Sequence, residues 1–380
     1  MAARKKTENV ESESRATKVL ASEALAKILK AHGSEILIRA SDHRHQEVPR
    51  IPSGIMMLDW GLGGGWPAGR INIIYGHKSS SKTTTLMKTI ANAQKMCAAC
   101  FTFPNVDLAT GEIGECKCGE FRESVCAFID VEGTLDMKWA RNLGVDPDRL
   151  LLSQPEFAEA SLDIGEALIR SGEVDVIVLD SLAFLTPAKE IEESVEKETM
   201  GVQPRLIGKG IRKFNAALSA VKNEHGRYPT VFFTNQIRMK LGVMFGNPET
   251  QPGGMAPGFA ATTEVKVWPG KYLIDEKTGR PVHVDINFRI EKNKSAPAKM
   301  EGEFRLMLTD TETKHAGDIY EEDAIVNMSQ KFGLLEGHGN SWTCLGEKYG
   351  GKSVIERKLL TDPAYKKTLK EALMKVLLAA

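Results

Sequence analysis

Ile71-Asn72-Ile73-Ile74-Tyr75-Gly76-His77-Lys78-Ser79-Ser80-Ser81-Lys82-Thr83-Thr84 passes from an apolar run, through a short polar turn, into a helical pattern that continues to Met96. A strand, a glycine-led loop ending in Lys-Thr and a helix form the arrangement that holds nucleotide phosphates. Backbone N–H groups and the helix N-terminus converge on the anion. Lys82 reaches the β and γ phosphates, and the Thr83 hydroxyl can ligate Mg2+. Gly76, Ser79, Ser80, Ser81, Lys82, Thr83 and Thr84 are therefore assigned to ATP and Mg2+. Ser81 stands where such loops carry a second glycine, so a Cβ sits where backbone must approach phosphate, and positive φ there costs strain. Taken alone, the stretch reads equally well as a polar strand-to-helix turn.

Outward from this loop, strand and helix signals alternate. Residues 125–130, 174–180 and 230–234 are short apolar runs, while 157–171 and 203–223 repeat apolar residues at helical spacing. That pattern predicts an α/β fold whose mostly parallel sheet is covered on both faces. Residues 262–267, 282–290 and 303–308 alternate around a turn at 275–279 and predict antiparallel additions. Residues 1–16 are charged and serine-rich and predict a disordered lead. Val19, Leu20, Leu25, Ile28 and Leu29 predict an N-terminal helix ending at Gly33, within a helix-and-linker segment 17–50. The core is placed at 51–317, and a small C-terminal α+β domain at 318–380.

Fifty basic residues balance fifty acidic ones. No global positive field is available, so any nucleic-acid contact must come from locally clustered charge. The start lacks the apolar core of a signal peptide, and no run approaches the roughly 18 apolar residues of a membrane span. The expectation is a soluble, cytoplasmic protein without a membrane partner.

Three polar residues close apolar strands near the phosphate loop. Asp180 suits a carboxylate holding the metal's water opposite Thr83, although Asp at a strand end is commonly a cap. Glu132 follows its strand by two residues and can accept a proton from an attacking water. Gln236 carries a neutral amide able to bind a terminal phosphate oxygen and let go in its absence. It opens Asn235-Gln236-Ile237-Arg238-Met239-Lys240-Leu241-Gly242-Val243-Met244-Phe245-Gly246-Asn247-Pro248-Glu249-Thr250, a basic, methionine-rich and glycine-punctuated loop. Arg238 and Lys240 supply charge, and Met239, Val243, Met244 and Phe245 supply groups able to slip between bases of a stretched single strand. Met200, Gly201, Arg205, Lys209, Arg212 and Lys213 make a second basic segment, and Gly253 and Gly254 keep the region flexible. Solvated helix face and core packing are the alternative readings.

The 235–250 run resembles the second DNA-binding loop of the bacterial RecA recombinase family, and the 200–213 segment resembles the first. The likeness extends from about residue 17 to about 355. It implies a RecA-type P-loop NTPase core that polymerises on single-stranded DNA, pairs it with a homologous duplex and uses ATP hydrolysis to release. It further implies that Glu132, within Phe128-Ile-Asp-Val-Glu-Gly-Thr-Leu-Asp136, is the general base, that Asp136 belongs to the cofactor-binding set, and that Trp139 stacks on the adenine. Lys292 and Lys294 would reach the γ phosphate of a neighbouring subunit, as arginine fingers do. The N-terminal helix would pack on that neighbour, the other reading being that it folds onto its own domain. Phe259 would be an interface aromatic, although Gly258 lacks the family's basic side chain there. Pro204, Pro252 and Pro257 also depart from the family's loops. Single-strand-binding and loader proteins are further expected partners, in a bacterial or phage-infected cell.

Cys97-x2-Cys100-x15-Cys116-x-Cys118 interrupts the core within an insertion at 97–120. Two close thiolate pairs on glycine-bearing loops suit a closed, structural Zn2+ site, with an iron site or redox-active thiols as alternatives. A hexameric helicase, a RadA-type branch-migration ATPase and a nucleotide-gated DNA-binding scaffold with weak hydrolysis are the competing functions. In RadA proteins the zinc module precedes the core instead of interrupting it.

Overall fold

The computed structural model describes Lys27, Lys30 and residues 48–104, 116–192, 201–239, 246 and 248–379. The expected lead at 1–16 lies outside these residues, as does the N-terminal helix except for Lys27 and Lys30, both helical. The chain divides into two compact units, Met1–Val48 and Pro49–Ala380. The second unit carries the sites.

Its elements run in the order α1 (Met56–Leu62), β1 (Ile71–Gly76), α2 (Lys82–Ala93), β2 (Cys126–Asp130), β3 (Leu150–Ser153), α3 (Ala158–Ser171), β4 (Val176–Asp180), α4 (Val202–His225), β5 (Thr230–Gln236), β6 (Thr263–Ile274), β7 (Pro281–Asn293), β8 (Glu301–Met307) and β9 (Ile319–Tyr320). These nine strands form one sheet in the order β9-β8-β7-β6-β1-β5-β4-β2-β3. Pairing is parallel from β6 through β3 and antiparallel from β6 to β9. The phosphate loop leaves the carboxyl end of β1, a central strand. Ligands of open α/β sheets bind at that end.

Side chains alternate across the pleat. Ile74, Phe128, Val176, Val178 and Phe232 face α2 through Leu86 and Ile90, while Ile71, Ile73, Ile177, Leu179, Val231 and Phe233 face α3 and α4 through Leu162, Ile207, Ile211 and Phe214. Each large apolar side chain so buried contributes about 1.5–3 kcal/mol. The two helices meet closely: a Cβ at Gly165 would lie 2.4 Å from the Phe214 ring, and one at Gly210 would lie 2.7 Å from Leu162.

Within residues 48–379 the expected strands and helices are present with shifted ends. Strand β3 was not expected, because its Leu-Leu-Leu-Ser is a brief edge run with Leu151 and Leu152 exposed. Helix α2 stops at Ala93, short of the expected Met96, and Cys97 then bridges to Glu123. Beyond β9, α5 (Glu322–Lys331), a three-stranded antiparallel sheet of β10 (Leu335–His338), β11 (Ser341–Cys344) and β12 (Glu347–Tyr349), α6 (Lys352–Thr361) and α7 (Pro363–Ala379) form an α+β layer. Its core of Ile325, Leu335, Trp342, Leu369 and Leu373 also takes in Met56 of α1. The main sheet ends with β9, slightly past the expected boundary at 317.

Candidate nucleotide site and DNA-facing loops

The phosphate loop is held by its own side chains. Lys82 Nζ donates to His77 O at 2.8 Å and to Gly76 O and Ser80 Oγ at 3.4 Å. Burial lowers the Lys82 pKa, with Asp180 and Glu132 acting in the opposite direction. A Cβ on Gly76 would lie 2.2 Å from Val267 O and 2.6 Å from Ser80 Oγ, so only glycine fits. Ser81 has φ 61° and ψ 26°, a left-handed conformation that Ser79 also visits at φ 58°. The strain expected at the missing glycine is present.

Strand pairing gathers the carboxylates. Asp180 ends β4 beside Asp130 at the end of β2. Thr83 Oγ1 donates to Asp180 Oδ2 at 2.5 Å and Thr234 Oγ1 donates to Oδ1. Burial pushes the Asp180 carboxyl up, the two hydroxyl donors pull it down, and Glu132 pushes it up further. A buried carboxylate facing a threonine hydroxyl is an oxygen-donor set of the kind Mg2+ takes. Ser181 Oγ donates to Glu132 Oε1 at 2.7 Å, and Gln236 Nε2 reaches the same oxygen at 3.5 Å. The proposed base and the proposed γ-phosphate sensor are therefore in contact. Thr234 and Ser181 escaped the sequence reading; the available signal was a hydroxyl inside or just after a buried apolar strand.

Trp139 Nε1 donates to Thr84 Oγ1 at 3.4 Å, which places the indole beside the start of α2. The Asp136 carboxylate caps the short helix Met137–Asn142 by accepting from Lys138 N at 2.8 Å and Trp139 N at 3.2 Å. Lys292 and Lys294, at and after the end of β7, are not on their own chain's phosphate loop. Lys292 Nζ donates to Gly258 O at 2.5 Å, and both ammoniums reach Phe259 O at 3.4 Å. Burial, and then Lys294, lowers the Lys292 pKa. Phe259 and Met255 beside them are 72% and 77% exposed.

Of the residues expected to face DNA, Met200, Lys240, Val243, Met244 and Phe245 lie outside the described residues. Gly201 opens α4 with φ 82°. Arg205, Lys209 and Arg212 are exposed and fall on one face of α4, with no ion pair among the described residues. Lys213 turns away from that set to pair with Glu166 at 2.5 Å and Asp163 at 3.0 Å. Arg238 and Met239 pair antiparallel with Thr250 and Glu249, making a short stem beneath the loop. Asn235 Nδ2 donates to Gln251 Oε1 and Pro252 O, and Gly253 and Gly254 turn at φ 92° and 70° into the helix Ala256–Ala260. Pro204 and Pro257 each sit in a first helical turn, where a missing N–H costs little.

The four cysteine sulfurs lie within 4.8 Å of one another. Cys97–Cys118 and Cys116–Cys118 are 3.7 and 3.6 Å apart, and Cys100–Cys116 are 3.1 Å apart. A tetrahedral zinc with bonds of about 2.3 Å sets sulfurs about 3.8 Å apart, so the donors fit such an ion. Burial raises the Cys97 thiol, but backbone donors from Arg122, Cys100 and Ala99 outweigh it and bring it to about 6. Arg122 ties the insertion to the sheet through paired bonds to Asp175 at 2.8 and 3.2 Å. Asp175 precedes β4, so the cysteine site lies at the amino end of the parallel strands, opposite the phosphate loop.

A family model described as the RecA N-terminal domain matches residues 18–111 and 107–312. Protein RecA of Francisella philomiragia subsp. philomiragia is 36% identical over 360 residues, covering 93% of this chain and 88% of that protein. Protein RecA of Francisella tularensis subsp. novicida and of subsp. tularensis are each 35% identical over 360 residues, with the same shares covered. With the sheet order and the phosphate loop in place, the chain belongs to the RecA family of recombinases.

Proposed function

We propose that this protein is a DNA-dependent ATPase that forms helical filaments on single-stranded DNA, pairs that strand with a homologous duplex and exchanges strands. The observation that carries the reading is the contact between Gln236 and Glu132 at the foot of the Arg238–Thr250 stem. One side chain thereby joins the hydrolytic carboxylate to the DNA loop, and an element biased from two sites is what coupling requires.

Gly76 to Thr84 hold the triphosphate, with Lys82 neutralising its outer charge. Thr83 and Asp180 hold the Mg2+, which when bound offsets phosphate charge. Ser181 and Gln236 both bond Glu132 Oε1, which orients the carboxylate and leaves Oε2 to take the proton of the attacking water. Lys292 and Lys294 act on a neighbouring subunit's nucleotide; their anchoring at the exposed end of the Ala256–Ala260 helix, beside Phe259, supports that role. Trp139 covers the adenine. Arg205, Lys209, Arg212 and Arg238 neutralise phosphates without reading sequence. Cys97, Cys100, Cys116 and Cys118 hold a structural Zn2+ that supplies folding energy to the insertion.

ATP hydrolysis measured with and without single-stranded DNA, alongside electron microscopy of the same samples, tests the reading. Stimulated turnover with helical filaments is expected. Closed rings or DNA-indifferent turnover would instead point to a helicase or another RecA-fold ATPase activity. Zinc content near one per chain, removable by chelation, is expected for the cysteine site.

A further inference from the structure

Both arms of the loop stem reach the phosphate loop, through different groups. On the outgoing arm Ile237 N donates to Gly76 O at 3.2 Å, and Gln236 bonds Glu132. On the returning arm Glu249 Oε1 lies 3.4 Å from His77 Nε2, while Lys266 Nζ donates to Glu249 Oε2 at 2.5 Å. Lys266 belongs to β6 and pairs in register with Tyr75 of β1, so one carboxylate oxygen is fixed to the sheet. The other oxygen is fixed to the loop that surrounds the nucleotide. The Lys266 hydrogen bond holds the Glu249 carboxyl below its usual range, which keeps it an anion.

The His77 peptide also carries a second tie. Its carbonyl accepts from Lys82 Nζ at 2.8 Å. A γ phosphate that draws Lys82 outward releases that carbonyl, and the imidazole attached to the same residue moves with it. Met239 pairs with Glu249, so a shift of the carboxylate is delivered to the stem itself.

We propose that His77 and Glu249 form a second coupling contact, independent of Gln236, that passes the state of the phosphate loop to the returning arm of the DNA loop. The proposal rests on the reading of 238–250 as the stem and tip of a DNA-binding loop. His77 is here a positioning residue, since it acts through Glu249.

The test uses the full-length protein and a fluorescent single-stranded oligonucleotide, with affinity measured in a non-hydrolysable ATP analogue and in ADP. The ratio of the two affinities is the coupling factor. His77→Ala and Glu249→Gln should each reduce that factor by about 5-fold or more, with no further loss in the double variant. His77→Lys, which places an N–H donor beside Glu249 again, should recover most of it. A wild-type factor well above one that His77→Ala leaves unchanged would overturn the link, as would losses that multiply in the double variant. A wild-type factor near one would overturn both this contact and the DNA-loop reading on which it rests. His77 is half-exposed, so the variants are not expected to unfold, and matched melting temperatures verify this.

Discussion

Glu132 and Asp180 are carboxylates near adjoining strand ends, and their surroundings differ. Asp180 is buried and bonded by two threonine hydroxyls, whereas Glu132 is partly exposed and bonded on one oxygen by Ser181 and Gln236. Glu132→Gln should therefore keep ATP and DNA binding but slow turnover at least ~100-fold, measured as phosphate release. Unchanged turnover would remove Glu132 from the base role. Ser81 holds φ 61° with no side-chain hydrogen bond across the helix start. Ser81→Gly should raise the stability of the nucleotide-free protein by about 1 kcal/mol, read by denaturant melting, because glycine adopts that conformation without a Cβ clash. Both positions were legible in the chain; that Thr234 also serves Asp180 was not, because 54 residues separate the partners.

Helix α4 shows how an element sorts its charges. Arg205, Lys209 and Arg212 recur at helical spacing and stay exposed, while Lys213, the next residue, lies on the side that meets Asp163 and Glu166 of α3. Replacing the first three by Ala should weaken single-stranded DNA binding uniformly across sequences and flatten the log-affinity against log-salt slope by about 2. Lys213→Ala should leave that slope unchanged. Composition could not separate the four cations, since the ion pairs on α3 depend on how two helices pack. The cysteine insertion was the reverse case: its spacing alone announced four convergent thiols, and folding added the Arg122–Asp175 tie and a position at the far end of the sheet from the nucleotide.

Across the whole molecule, buried charge joins the core to the C-terminal layer. Burial raises Asp59 of α1 to about 7, with Ser53 N donating to it at 2.6 Å and Lys370 of α7 nearby. The unfolded carboxyl ionises near 3.8, so between that pH and about 7 the folded state holds a proton that the unfolded chain has released. The Asp59 contribution to stability must fall as pH rises through that window. Asp59→Asn should reduce the loss of melting temperature between pH 5 and pH 8 by at least about 2 °C, seen by calorimetry. An identical pH profile would count against the shift. The linear order of residues determined by itself the alternation of strands and helices, the phosphate loop, the polar residue closing each central strand and the cysteine quartet, because each depends on periodicity or spacing within one segment. Only the tertiary structure decided that Thr234 also bonds Asp180 across 54 residues, that Gln236 touches Glu132 across 104, and that Lys213 is turned away from the other cations. Those contacts are set by sheet order and helix packing, which place strand ends side by side irrespective of their distance along the chain.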